Sequence, residues 1–234
     1  SKKETLVKLA EEIIADIHRV NRESLELIKR LIERVEKLTK ESLDSIRKLI
    51  ERILRDIDDE EVVERIERLL KKLLDENEKI IREIRELLDR LKKANEKVNE
   101  EIKKLLDDLK KELRDATDEE TAIRLLVDVL RKILELLKRL SEINVRVLEE
   151  IVRLIRELSE RNKRVLEDAL RLVKERVDSD EVREIKEKVR ELIDKDRRLV
   201  KEIEDLAREI LDTDRKLVKR LEEVVRELIE RARR

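Results

Sequence analysis

Asn77, Asn95, Asn144, Asn162, Asp196 and Asp214 stand out from a chain built mainly of aliphatic and charged side chains. They form three pairs, Asn77 with Asn95, Asn144 with Asn162 and Asp196 with Asp214, and the same interval in sequence, 18, separates the members of each. Ser24 and Ser42 keep that interval, as do Asn21 and Thr39, and Ser141 and Ser159. An Asn side chain offers two N–H donors and a carbonyl acceptor, a Ser hydroxyl both donates and accepts, and an ionised Asp only accepts. Those types suit a connected hydrogen-bond network. They suit catalysis poorly, because no general base is matched to a nucleophile. The lone histidine, His18, falls at the edge of its helical arc, where a half-exposed side chain of no special chemistry is expected. For a metal, Asp196 and Asp214 fall at separate heights, and the Glu-x-x-His pair of carboxylate-bridged dimetal bundles is missing. "DIDDEE" at 56–61 lacks the glycine and the terminal glutamate of a calcium loop, and a phosphate loop is impossible without glycine. No catalytic, cofactor-binding or metal-binding residue is expected, and no cofactor.

The composition narrows the class. The 234 residues include no Gly, Pro, Cys, Met, Trp, Tyr or Phe, and no Gln. An ordinary soluble domain carries roughly 7% Gly and about 5% Pro. Basic and acidic side chains number 61 and 62 and interleave along every segment, so the net charge of -1 leaves no face of one sign. A nucleic-acid partner is not expected. Without cysteine there is neither a disulfide framework nor a thiolate nucleophile. No apolar run reaches the roughly 18 or more residues of a membrane span, so a soluble chain with no membrane partner is expected. The start at Ser1 and the absence of methionine suggest a recombinant product trimmed from a longer precursor, with no natural localisation.

Without Gly or Pro, element boundaries must come from breaks in periodicity and from capping residues. Three clusters qualify: "DIDDEEV" around Asp58 and Asp59, "RDATDEET" around Thr117, and "VDSDEV" around Ser179. Thr117 with Glu120 has capping-box spacing, as do Ser1 with Glu4 and Asp178 with Glu181. The expected elements are four helices at about 2–57, 60–115, 118–177 and 180–233 within one bundle over 1–234.

At 100° per residue the apolar positions of each segment fall on one arc. In the first helix it holds Ile13, Ile17, Val20, Ile28, Leu31, Val35, Leu38, Ile46, Leu49 and Ile53. In the second it holds Ile66, Leu70, Leu73, Ile84, Leu91, Val98, Ile102 and Leu109. Arcs of this width suit helices that each touch two neighbours. With roughly 3.6 residues per turn, the repeat closes after five turns, so nearly straight helices are expected. The fold class is all-α: a single-chain, antiparallel, up-down-up-down four-helix bundle, nearly untwisted. In the third helix Leu125, Val127, Leu136, Ile143, Val145 and Leu154 widen the arc.

Antiparallel neighbours then bring the polar positions to common heights, since each repeat travelled up one helix matches a repeat travelled down the next. One layer should hold Ser24, Asn95, Asn144 and Asp214, with Asn21, Asn99 and Ser141 about one turn away. The other should hold Ser42, Asn77, Asn162 and Asp196, with Thr39 and Ser159. A polar group buried alone costs roughly 1–3 kcal/mol, so grouping is the condition for placing these residues inside. Their value would lie in specificity, because a slipped register sets Asn or Asp against Leu.

The whole chain resembles de novo designed helical bundles with modular buried hydrogen-bond networks, a style shared by designed heterodimers and caged-latch switch scaffolds. The resemblance rests on "NRESLELIKRL" and "TKESLDSIRKL" in the first helix, "NEKIIREI" and "NEKVNEEI" in the second, "LSEINVRVLEEI" and "LSERNKRVLEDA" in the third, and "DRRLVKEI" and "DRKLVKRL" in the fourth. It implies a structural scaffold with no natural biochemical activity; because one chain supplies all four members of both layers a monomer that requires no partner is expected, and no residue set supports an enzyme. The alternative the resemblance implies is an interaction or switch module, with a designed helical partner, a latch helix or an apolar interface on the third helix.

Overall fold

The computed structural model describes residues 2–177 and 179–234, the side chain of Ser179 excepted. The chain folds as a four-helix bundle: α1 (Lys2–Asp56), α2 (Glu60–Asp115), α3 (Glu119–Arg176) and α4 (Ser179–Arg233). The helices start and stop close to the positions expected from periodicity. Their long runs follow from composition: Leu, Lys, Glu and Arg are strong helix formers, and no Gly or Pro interrupts them.

The α1–α2 and α2–α3 junctions close without glycine because none of the described residues takes a positive φ. Asp59 caps α2. Its Oδ1 accepts the backbone N–H groups of Glu61 at 3.1 Å and Val62 at 3.3 Å, while its carbonyl takes the first helical bond, from Val63. Asp118, and not Thr117, caps α3: its Oδ1 accepts the Thr121 N–H at 2.7 Å and its carbonyl accepts from Ala122. The Thr117 capping box is therefore corrected to its neighbour. Asp at the cap adds a full negative charge to the positive end of the helix dipole, which a Thr hydroxyl cannot do. The proposed caps at Ser1 and Asp178 lie outside the described residues.

Two compact units are distinguishable, and every helix contributes a segment to each. The first comprises residues 1–30, 89–147 and 207–234. Its apolar core takes Leu6, Ile13 and Ile17 from α1, Ile102, Leu106 and Leu109 from α2, Leu126, Leu130 and Ile133 from α3, and Leu217, Leu221 and Leu228 from α4. The second comprises 31–88 and 148–206. Its core joins Ile46, Leu49 and Ile53 to Ile66, Leu70 and Leu73, to Leu166 and Val173, and to Ile185 and Leu192. Of the arc residues expected on α1 and α2, only Val20, Leu38 and Val98 are half-buried; the others are buried. Val20 and Leu38 are one repeat apart, so the same place on the repeat misses the centre twice.

Ion pairs along the α1–α4 seam obey the repeat. Asp16 meets Arg220 in the first unit, and Arg34 meets Glu202 and Arg52 meets Glu184 in the second. Each successive pair moves one repeat up α1 and one repeat down α4. Pairs at the surface, with water within reach, add little stability, though wrong registers would set some like charges together.

Candidate functional site

Each unit contains one polar cluster, built from one residue of every helix. In the first unit Asn95 Nδ2 donates to Asn144 Oδ1 at 2.8 Å, and Asn144 Nδ2 donates back to Asn95 Oδ1 at 3.2 Å. The remaining Asn95 hydrogen reaches the Leu91 carbonyl at 2.7 Å. The remaining Asn144 hydrogen reaches Asp214 Oδ2 at 2.9 Å, and the Ser24 hydroxyl donates to Asp214 Oδ1 at 3.2 Å.

In the second unit the same bonds recur with every residue displaced by one repeat. Asn77 and Asn162 exchange amide bonds at 2.7 and 3.0 Å. Asn77 also donates to the Leu73 carbonyl at 2.7 Å, Asn162 to Asp196 Oδ2 at 2.8 Å, and Ser42 to Asp196 Oδ1 at 2.9 Å. All eight residues are buried. Among the described residues, no buried side-chain nitrogen or oxygen lacks a partner, which removes the main cost of placing them inside.

Electrostatics and hydrogen bonding pull these clusters in opposite directions. Both carboxylates act only as acceptors, the role of the ionised form. Burial nonetheless pushes the Asp196 and Asp214 carboxyls up from the ordinary aspartate value, and the hydrogen bonds from Asn162 and Ser42, or from Asn144 and Ser24, only pull back against it. Neither carboxylate has a Lys or Arg ion-pair partner among the described residues. Nor does any group of three His, Asp or Glu side chains there have the arrangement to hold a metal ion.

The layers are narrower than the sequence pattern implies. Asn21, Asn99, Ser141 and Ser159 are half-buried and make no side-chain hydrogen bond to the clusters among the described residues. Being a turn or less from a rung does not bring a short side chain to the axis; these four sit on the margin of the arc, where water is within reach. Thr39 is buried, but its hydroxyl bonds back to the Val35 carbonyl at 2.6 Å and the Glu36 carbonyl at 3.2 Å. It is satisfied within its own helix, the usual solution for Thr in a helix interior. The acceptors missed from sequence are the Leu91 and Leu73 carbonyls. An Asn in mid-helix can always bond four residues back, and that was the available signal.

His18 is half-buried on α1. Burial lowers its pKa first, then Lys110, with Arg22 and Lys103 adding and Asp107 opposing. On α3, Val127 and Leu154 are buried, Leu125, Leu136 and Val145 are half-buried, and Ile143 is 37% exposed. No described helix is long and apolar enough to cross a membrane. In comparisons with known proteins the chain matches no family model, no curated protein and no solved structure.

Proposed function

We propose that this chain is a de novo designed structural scaffold with no natural biochemical activity, whose two polar clusters specify helix register and pairing. The observation that carries the reading is the recurrence of one network of Ser, Asn, Asn and Asp, bond for bond, with every member displaced by one repeat on its helix. Such repetition follows when one module is used twice, and each copy takes one member from every helix of the chain. One chain thus supplies every polar partner, which favours a monomer. On α3 the alternative of an interaction or latch module draws only on Ile143, because the other surplus apolar residues of that helix are at least half covered, and the other large exposed hydrophobic among the described residues, Leu54, lies on α1. Single exposed aliphatic side chains scattered on different helices are ordinary on a protein surface.

Two measurements test this reading. Sedimentation equilibrium should return 28.2 kDa at every concentration, whereas a stable mass of twice that value would show that the chain is half of an assembly. Replacing Ser42 with Ala and Asn77, Asn162 and Asp196 with Leu should then broaden the amide NMR spectrum or produce a minor swapped dimer. A variant with one sharp set of resonances and a purely monomeric mass would remove register specification as the role of the cluster.

A further inference from the structure

Near its start α1 carries two alanines where the repeat carries longer side chains, and a cleft lies beside them. Ala10 stands where the repeat puts Ile28 and Ile46, and Ala15 stands where it puts Glu33 and Glu51. Two long side chains are therefore lost within two turns of α1, one at a buried and one at an exposed position, and both alanines line the cleft. Between this part of α1 and the end of α2, inside the first unit, that cleft measures about 870 Å³. A volume of this size is in the range of small-molecule sites, roughly 300–1,000 Å³. Val7, Ile14 and Leu113 give it an apolar floor.

The rim is mainly cationic. Lys3 and Lys8 come from α1, and Lys110 and Arg114, one turn apart, come from α2; Glu4 and Glu11 are the acidic members. None of the four cations takes part in an ion pair among the described residues. His18 closes one end, and the groups acting on it are three cations, Lys110, Arg22 and Lys103, against the single anion Asp107. The field at that end is positive although the chain as a whole is nearly neutral. A positive field beside an apolar floor is complementary to a molecule with one apolar body and one anionic head.

We propose that the α1–α2 cleft binds a small anionic amphiphile, its apolar body against Val7, Ile14 and Leu113 and its sulfonate or carboxylate head between Lys110 and Arg114. The chain has no aromatic residue and one histidine, so both a fluorescent ligand and the imidazole can be read without background. The probe is 8-anilinonaphthalene-1-sulfonate, titrated into the folded chain. Saturable one-site binding is expected, and the pKa of His18, followed by its ring-proton NMR signal, should rise when the anion is bound. The uncharged analogue N-phenyl-1-naphthylamine should leave that pKa in place. Reversing the rim with Lys110→Glu and Arg114→Glu should lower affinity by about tenfold or more, near-surface charges being worth that much. Ala15→Glu restores the residue of the other repeats at an exposed helical position and should weaken binding in the same direction while circular dichroism stays unchanged. The proposal is overturned if the dye does not bind, if it binds equally well to both variants, or if His18 does not move at saturation. In the latter cases the dye sits elsewhere, such as the shallower groove around Val145 and Val218 between α3 and α4.

Discussion

Asn77 and Asn162 face each other as a reciprocal amide pair, each donating to the other's Oδ1, at 2.7 and 3.0 Å. Because both amides spend their second hydrogen elsewhere, on Leu73 and Asp196, neither can be removed without orphaning the other. Asn162→Leu should therefore lower stability by roughly 1–3 kcal/mol, leaving Asn77 and Asp196 short of partners. The fourfold apolar replacement that includes Asn162 removes both sides of every bond between the cluster's side chains, and the Leu73 carbonyl that Asn77 also reached belongs to the helix backbone, so the variant should be no less stable than the parent. Guanidinium titration followed by circular dichroism decides between them. A harmless single change beside an unfolding fourfold change would mean that the cluster contributes net stability as a unit.

Helix starts offer an independent check at adjacent positions. Asp59 accepts two backbone N–H groups of α2 while the neighbouring Asp58 accepts none among the described residues. Asp59→Ala should cost about 1 kcal/mol, and Asp58→Ala much less. At the next junction Asp118→Ala should lower the melting midpoint more than Thr117→Ala, since only Asp118 holds the Thr121 N–H. Equal effects within either pair would show that the caps are not fixed by these bonds.

The helices and the eight rung residues were legible in the sequence for a physical reason: the repeat closes after five turns, so any residue type that recurs at that interval returns to the same face. Constancy of height then follows from antiparallel pairing, and Ser24, Asn95, Asn144 and Asp214 meet as that rule requires. What the pattern could not resolve was depth. Asn99 recurs beside Asn95 in the same stretch, yet four residues along a helix turn it about 40° off the rung, and Asn99 is half-buried where Asn95 is buried. The choice between Thr117 and Asp118 as cap was equally beyond pattern, because both lie in one run of capping residues, and the charge that favours Asp at the dipole counts only where the backbone path brings it to the cap. The cleft at Ala10 arises from an absence in the repeat, which arcs drawn from the residues present do not register.

Thermal resistance should be high. Each unit joins buried Leu, Ile and Val from all four helices, and the described residues leave no buried side-chain polar atom unpaired. Far-ultraviolet circular dichroism should stay strongly helical beyond the roughly 45–65 °C at which ordinary mesophilic domains melt. A cooperative loss of signal at about 50 °C would show that these cores are less well packed than their composition implies.

Acid should stabilise the interior. In the unfolded chain Asp196 and Asp214 ionise at the ordinary value, whereas burial holds them protonated to higher pH in the folded chain. Between those two pH values the folded state binds more protons, so their contribution is fully present below the unfolded value and is lost as pH rises through the folded one. The neutral form has a satisfied geometry. An Asp O–H can donate to the Ser24 or Ser42 hydroxyl oxygen while that hydroxyl turns to the carbonyl four residues back, at Val20 or Leu38. Surface groups act in the opposite sense: Asp118 and Glu150 are held below their ordinary values by hydrogen bonds from Thr121 and Arg153 and lose their contribution on acidification. Being exposed, they count for little, and subtraction removes them. The double variant Asp196→Asn with Asp214→Asn fixes the neutral arrangement at every pH and leaves the surface untouched. Its stability minus that of the parent should be positive at pH 7 and shrink steadily towards pH 4, measured by denaturant titration at each pH. A difference that stays constant with pH, or grows on acidification, would place these carboxyls on the other side of the shift and make the ionised form the one the interior prefers.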